Sequence, residues 1–228
     1  NFVVQAMERV KPMYDPGRVI AYHPRNFGWV IGELVRRIDG RPIRKFLQEE
    51  ITDPLGMFDT YLGLPTDLED RVSKVHAMED CDQPDMPATY NKPEVHQAVH
   101  PAGGGISTAR NLGKFYAMLA AGGSLGGSQI FDPATVAEVT GLEREGLDHT
   151  VGKQVKRTLG LVLADARMGS SEQVTRKTFG HPGAGTSIGW ADPELELTVV
   201  YITNGFRAAA SNRDRLSNIS QAVRNACR

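Results

Sequence analysis

Apolar side chains recur with two different periods along this 228-residue chain. Through its first part they return every three or four positions, and from about residue 157 at every second position. The first pattern predicts helices. Phe2, Val3, Ala6, Met7 and Val10 put residues 1–11 on one helix, stopped by Pro12 and the turn Asp15-Pro16-Gly17. Asn26 is placed to cap a helix with an apolar stripe of Val30, Ile31, Leu34, Val35 and Ile38. Glu33 and Arg37 form an i,i+4 pair on it, and Gly40 supplies the stop. A short helix follows Pro42, with Ile43, Phe46, Leu47 and Ile51 facing inward, and ends before Pro54. Ser107-Thr108 caps ARNLGKFYAMLAA, closed by Gly122-Gly123, and Asp132-Pro133 opens DPATVAEVT. Residues 64–102 hold no lasting period and read as a long proline-punctuated excursion.

The second pattern predicts strands. TLGLVLAD, KTFGHPG, TSIGWADP and LTVVYITNG read as four strands of an antiparallel sheet, the last two joined by a hairpin turn at ADPELE. A closing helix points Leu216, Ile219, Val223 and Ala226 inward. Helices first, then a sheet backed by a helix, give an α+β fold. The chain divides into a mainly helical part, residues 1–150, and a part of sheet and C-terminal helix, residues 151–228. The first residues, NFVVQAMERVKP, lack an initiator Met and read as starting mid-helix, so a preceding segment is expected.

Composition narrows the function classes. Hydrophobic content of 40% and charged content of 23% are those of an ordinary globular protein. A net charge of −1 offers no basic field for nucleic acid. No run of about 18 apolar residues exists, so no membrane span is expected. Cys81 and Cys227 stand far apart, which argues against a disulfide framework or a zinc ribbon.

Several stretches invite chemistry. Gly185-Thr-Ser-Ile-Gly189 matches G-x-S-x-G, the pattern of a nucleophile elbow at Ser187. An elbow needs a helix directly after the serine, whereas Ile-Gly-Trp-Ala-Asp-Pro reads as a strand running into a turn, and no histidine follows Ser187. HPAGGGIST (100–108) lacks the Lys-Ser/Thr of a P-loop, so its glycines read as letting the loop pass close to other backbone. His96 and His100 stand four apart but without the Glu of H-E-x-x-H; they are expected at the surface, and no metal site is expected. Tyr22 and His23 sit in a turn just ahead of a helix. His181 ends a strand, followed by glycines that leave backbone N–H groups bare, the ingredients of an oxyanion site.

Taken together these stretches resemble the serine hydrolases built like class C β-lactamases, penicillin-binding proteins and family VIII carboxylesterases. PGRVIAYHPRNFGWVIGELVRRIDGRPIRKFLQEEITDPLGM is similar to that family's tyrosine motif, helices and PLGM run. PAGGGISTARNLGKFYAMLAAGG and FGHPGAGTSIGWADPELELTVVYITNG follow in the family's order. The resemblance implies a β-lactamase/transpeptidase-like fold whose two parts belong to one catalytic domain. The family's S-x-x-K motif, which carries the acylated serine, does not occur in this chain; Thr150-Val-Gly-Lys153 comes nearest, in a loop. The segment is thus expected to be the C-terminal portion of such a protein and inactive alone, with an exposed sheet edge and an uncovered apolar patch.

The roles implied are those of the family's remaining motifs. Tyr22-His23-Pro24 stands for Y-x-N, with Tyr22 taking the nucleophile's proton and passing it to the leaving group. Pro24 in place of Asn removes an amide contact and favours esters over β-lactams or peptides. His181-Pro182-Gly183 stands for K-T-G, with His181 orienting Tyr22 or the leaving oxygen and making activity depend on pH around 6 to 7. Gly183 lets substrate lie along the strand, the N–H of Ala184 is one oxyanion donor, and His23 lines the acyl pocket or packs beside the turn. No cofactor is implied; the partner is a small ester or amide, and no oligomeric state follows. Three rivals stand beside the esterase reading: a β-lactamase or D-amino peptidase, a non-catalytic binding module, and an α/β-hydrolase using Ser187.

Overall fold

The computed structural model describes residues 2–170 and 172–227. Eight α-helices occur among them: α1 (Phe2–Glu8), α2 (Asn26–Ile38), α3 (Ile43–Leu47), α4 (Asp85–Tyr90), α5 (Pro93–Gln97), α6 (Ala109–Ala120), α7 (Pro133–Thr140) and α8 (Ala209–Ala226). One six-stranded antiparallel sheet is built from β1 (Arg144–Asp148), β2 (Lys153–Arg157), β3 (Val162–Leu163), β4 (Phe179–Pro182), β5 (Ser187–Asp192) and β6 (Leu197–Ile202). The strands lie in chain order, β6-β5-β4-β3-β2-β1, so each pairs with its sequence neighbour.

The sheet is apolar on both faces, and two clusters form there. Tyr116, Met118 and Leu119 of α6 pack with Leu163, Phe179 and Ala191. Leu216 of α8 packs with Val162, Met168, Ile188 and Trp190. Alternation along β5 explains the division: Ile188 and Trp190 point to the α8 side, Ala191 to the α6 side. Burial on both faces makes β5 a near-continuous apolar run, the signature of a central strand.

The α+β organisation and the four expected strands are present, but the sheet has two more. β1 (REGLD) and β2 (KQVKR) are largely polar, so their sequence carries no apolar alternation. Their hydrogen-bonded register, Arg144 opposite Arg157 through Asp148 opposite Lys153, makes them strands at one edge. At the hairpin between β5 and β6, Glu196 takes a left-handed φ of 50° and Asp192 Oδ1 accepts the Glu194 N–H at 3.2 Å.

Four other expectations need correction. Asn26 is the first helical residue of α2, Arg25 occupies the cap position, and no side chain caps the helix. The apolar stripe of α2 is not core-facing: Val30, Ile31 and Leu34 are 44–46% exposed and Ile38 is 84% exposed. Residues 64–102 contain α4, α5 and a 3₁₀ turn at Thr66–Arg71, and His76–Ala77 pairs in parallel with Gly205–Phe206. In α8 the buried positions are Asn212, Leu216, Ser220 and Arg224, while Ile219 and Val223 are half-buried and Ala226 is exposed. The cap at Thr108 holds, its Oγ1 accepting the Asn111 N–H at 3.2 Å.

Candidate active site

The tyrosine segment reaches the sheet through its edge. Ile20 bridges Asp148 in parallel, and the His149 N–H donates to the Ile20 carbonyl at 2.8 Å. Two residues on, Tyr22 lies beside His181 of β4. The Tyr22 and His181 ring centroids lie 6.0 Å apart with their planes tilted by 38°. Both rings line a cleft of about 560 Å³ that is also lined by Phe27, Val30 and Ile31 of α2, by Thr158–Leu161, and by Asp148 and Arg157. The first turns of the exposed α2 stripe, Val30 and Ile31, therefore face this cleft.

Asp148 is wholly buried, and its carboxylate accepts four hydrogen bonds. Oδ1 takes the N–H groups of Tyr22 at 3.1 Å, Thr150 at 3.0 Å and Val151 at 3.3 Å. Oδ2 takes Arg157 Nη2 at 3.0 Å. Burial alone would raise this carboxyl's pKa, but the bonds from Tyr22, Arg157, Thr150 and Val151 outweigh it and hold it below the usual range. The Arg157 guanidinium lies over the Tyr22 ring, 4.7 Å from its centroid. Neither residue is legible as functional in the sequence. Asp148 bears only the mark of an Asx turn, and Arg157 ends a run of mixed charges.

His181 follows Phe179 on the α6 face of β4. Its Nδ1 lies 2.8 Å from the Pro182 carbonyl. Burial lowers its pKa below the ordinary histidine value; the Pro182 carbonyl opposes this, Arg157 and Arg167 add to it, and Asp165 opposes it. The imidazole is accordingly neutral at neutral pH, and the pH dependence expected around 6 to 7 moves to lower pH. The backbone N–H of His181 supports the buried Tyr116 hydroxyl, whose pKa burial pushes up to about 12.

The remaining predicted residues are more dispersed. His23 is exposed at the rim of the cleft, with Nδ1 2.8 Å from the Ala21 carbonyl. Gly183 and Ala184 continue from β4 and are exposed; the Gly183 N–H is taken by the Ser187 carbonyl at 2.8 Å. Among the described residues the Ala184 N–H has no partner. The Gly185 carbonyl after it is held by Arg215 Nη2 at 3.2 Å.

Ser187 begins β5, so a strand and not a helix follows it. A Cβ at Gly183 would lie 2.3 Å from Ser187 Oγ, so that hydroxyl packs against the β4–β5 turn. His96 and His100 do not sit on one helix face, and neither is a free surface residue. His96 Nδ1 lies 2.8 Å from Glu69 Oε1, and His100 packs edge-on against Trp29 at 5.2 Å. Among the described residues no group of three His, Cys, Asp or Glu side chains is placed to hold a metal, and no helix is long and apolar enough to cross a membrane.

The sequence model of the beta-lactamase family matches residues 1–224. The chain belongs to the beta-lactamase family. Similar proteins within it include the esterase/beta-lactamase LipL of Mycobacterium tuberculosis, 28% identical over 218 residues, covering 83% of this chain and 50% of LipL. Among solved structures, a family VIII carboxylesterase superposes with a TM-score of 0.82 at 27% identity, over 96% of this chain and 61% of its own. A penicillin-binding protein homologue from Caulobacter crescentus gives 0.82 at 26%, over 99% and 63%. This beta-lactamase-family chain thus spans about half the length of the curated relatives it matches. The family is one of serine hydrolases that includes carboxylesterases and beta-lactamases.

Proposed function

We propose that this chain supplies the proton-transfer and oxyanion side of a serine hydrolase that works through an acyl-enzyme on small carboxylic esters. The nucleophile is read as a serine outside these 228 residues, which hold no S-x-x-K. The observation that carries the reading is the meeting of Tyr22 and His181, with rings 6.0 Å apart in one cleft although 159 positions separate them in sequence (181 − 22). On this reading the Tyr22 oxygen takes the serine proton as the serine oxygen bonds the ester carbonyl carbon. It returns that proton to the alcohol oxygen as the carbon–oxygen bond breaks, and water reverses the sequence to free the acid. His181 orients the Tyr22 hydroxyl or the leaving oxygen. The unpaired N–H of Ala184 stabilises the carbonyl oxygen as it gains charge. Gly183 is exposed at the strand end along which substrate lies, although its missing Cβ makes room for Ser187 Oγ, and His23 stands at the acyl side of the cleft.

Pro24 favours esters, since it cannot give the amide contact that Asn would. The name of LipL joins esterase with beta-lactamase, which keeps β-lactams as the second substrate class. Hydrolysis of short p-nitrophenyl esters by the full-length protein tests the reading. Tyr22→Phe should lower kcat by about 10²–10⁴-fold, the usual worth of a general acid–base, while Ser187→Ala should leave it largely intact. The reverse result would overturn the assignment. Failure of the full-length protein to hydrolyse any ester or β-lactam would leave a binding module as the better reading.

A further inference from the structure

We infer that Asp148 and Arg157 are positioning residues for Tyr22, locking the tyrosine segment onto the sheet that carries His181. The inference rests on the proposed role of Tyr22 as the proton carrier. Three contacts converge on that residue from the far side of the sequence. Its N–H is bonded by a fully buried carboxylate, its segment bridges the same residue's backbone through Ile20, and its ring is covered by a guanidinium. Asp148 ends β1 and Arg157 ends β2, and these strands are paired, so both reach Tyr22 from one rigid hairpin. The ion pair between them, 3.0 Å long with Arg157 only 19% exposed, balances the buried charge of Asp148.

Each contact constrains a different freedom. The Asp148 bond fixes where the Tyr22 backbone stands relative to β1. Thr150 and Val151 donate to the same oxygen, which keeps the carboxylate aimed at the tyrosine segment. The guanidinium over the ring face restricts how the side chain swings toward His181, and cation–π attraction favours that stacked position. Without Arg157, Asp148 would be a buried carboxylate lacking its counter-charge, and the N–H it holds would be held less firmly. Proton transfer at Tyr22 depends on its hydroxyl standing within hydrogen-bond reach of the reacting oxygens, so a small displacement is costly. Both residues also line the cleft, and the role assigned to them is to act through Tyr22.

The test is steady-state ester hydrolysis by the full-length protein with wild type, Tyr22→Phe, Arg157→Gln and Arg157→Lys. Arg157→Gln should cut kcat by about 10–100-fold, the scale of a 1 Å misplacement, with KM little changed. Arg157→Lys keeps the charge opposite Asp148 and should recover a large part of that loss. In a Tyr22→Phe background, Arg157→Gln should add little further loss, because both act on one proton transfer. The inference is overturned if Arg157→Gln retains wild-type kcat. It is equally overturned if Arg157→Lys is as impaired as Arg157→Gln at unchanged melting temperature. Should Arg157→Gln fail to fold, Arg157→Lys decides alone: an intermediate kcat with unchanged KM supports positioning, and a raised KM with wild-type kcat refutes it. If Tyr22→Phe itself retains full activity, the role of Tyr22 fails, which is a separate outcome from failure of the Arg157 arm.

Discussion

At the scale of single residues, the positions that shape the site are ones whose neighbours leave no alternative. Gly189 lies opposite His181 in the β4–β5 ladder, under the Tyr116 ring. A Cβ there would stand 2.2 Å from Tyr116 Cε2. Tyr116 is buried on α6 and supported by the His181 N–H, so its ring cannot yield without moving the strand that bears the imidazole. Gly189→Ala should therefore destabilise by about 1–3 kcal/mol, the cost of overpacking, and lower activity as well. Gly105 has open space around its Cβ position and is exposed, so Gly105→Ala should stay within about 0.5 kcal/mol of wild type. Urea denaturation of both variants checks the contrast. Ser187 carries the opposite lesson: a five-residue pattern means little until its backbone is known, and here that backbone is an extended strand.

At the scale of elements, α8 is held to the sheet by polar contacts as much as by Leu216. Arg224 and Asp192 are each 1% exposed and paired at 2.7 Å. Arg224 also donates Nε to the Met168 carbonyl at 2.7 Å and Nη2 to Thr178 Oγ1 at 3.2 Å, and it lies over the Trp190 ring. Trp190 Nε1 donates to Ser220 Oγ at 3.0 Å, and Ser220 passes the chain on to the Arg167 carbonyl. Arg224→Met leaves the buried Asp192 without its cationic partner and should cost about 3–5 kcal/mol. Adding Asp192→Leu should restore part of that loss, because the stranded charge goes with it. Equilibrium unfolding of the single and double variants reads this directly. Equal stability of the two would mean the ion pair is not what holds the helix.

At the scale of the whole molecule, the shifted groups set the pH window of stability. The folded pKa of His181 is depressed, chiefly by burial, below the value of about 6.5 expected when unfolded. Between those two values the unfolded chain binds more protons, so stability rises with pH there. Its contribution is complete above the unfolded value and is lost as pH falls through the folded one. Asp148 and Asp165 are also depressed; despite burial, hydrogen bonds and charge hold them down, so their contribution is lost at still lower pH. Tyr116 is shifted the other way, to about 12. Above a pH of about 10 the unfolded chain loses that proton first, and stability declines through the folded value. Melting temperature against pH should thus form a plateau near neutrality with a shoulder below about 6.5, and His181→Gln should remove that shoulder. A shoulder unchanged in His181→Gln would assign it elsewhere.

Much of this architecture is determined by the sequence alone, because it depends on local periodicity. The helices outside residues 64–102, the four apolar strands, the α+β order and the Thr108 cap follow from spacing and turn chemistry, and the order of motifs identifies the family. The tertiary structure decided what depends on distant partners. β1 and β2 carry no apolar period, so only their pairing reveals them. The inner face of α8 is half polar because Ser220 and Arg224 find buried partners that hydrophobicity cannot announce. The α2 stripe looks like a core face, yet Val30 and Ile31 line the cleft and Leu34 and Ile38 are exposed, since only packing determines what stands opposite a helix. Tyr22 and His181 were legible as candidates from their motifs. Asp148 and Arg157 were not, because a carboxylate acquires its role from the N–H groups and guanidinium that the fold brings to it.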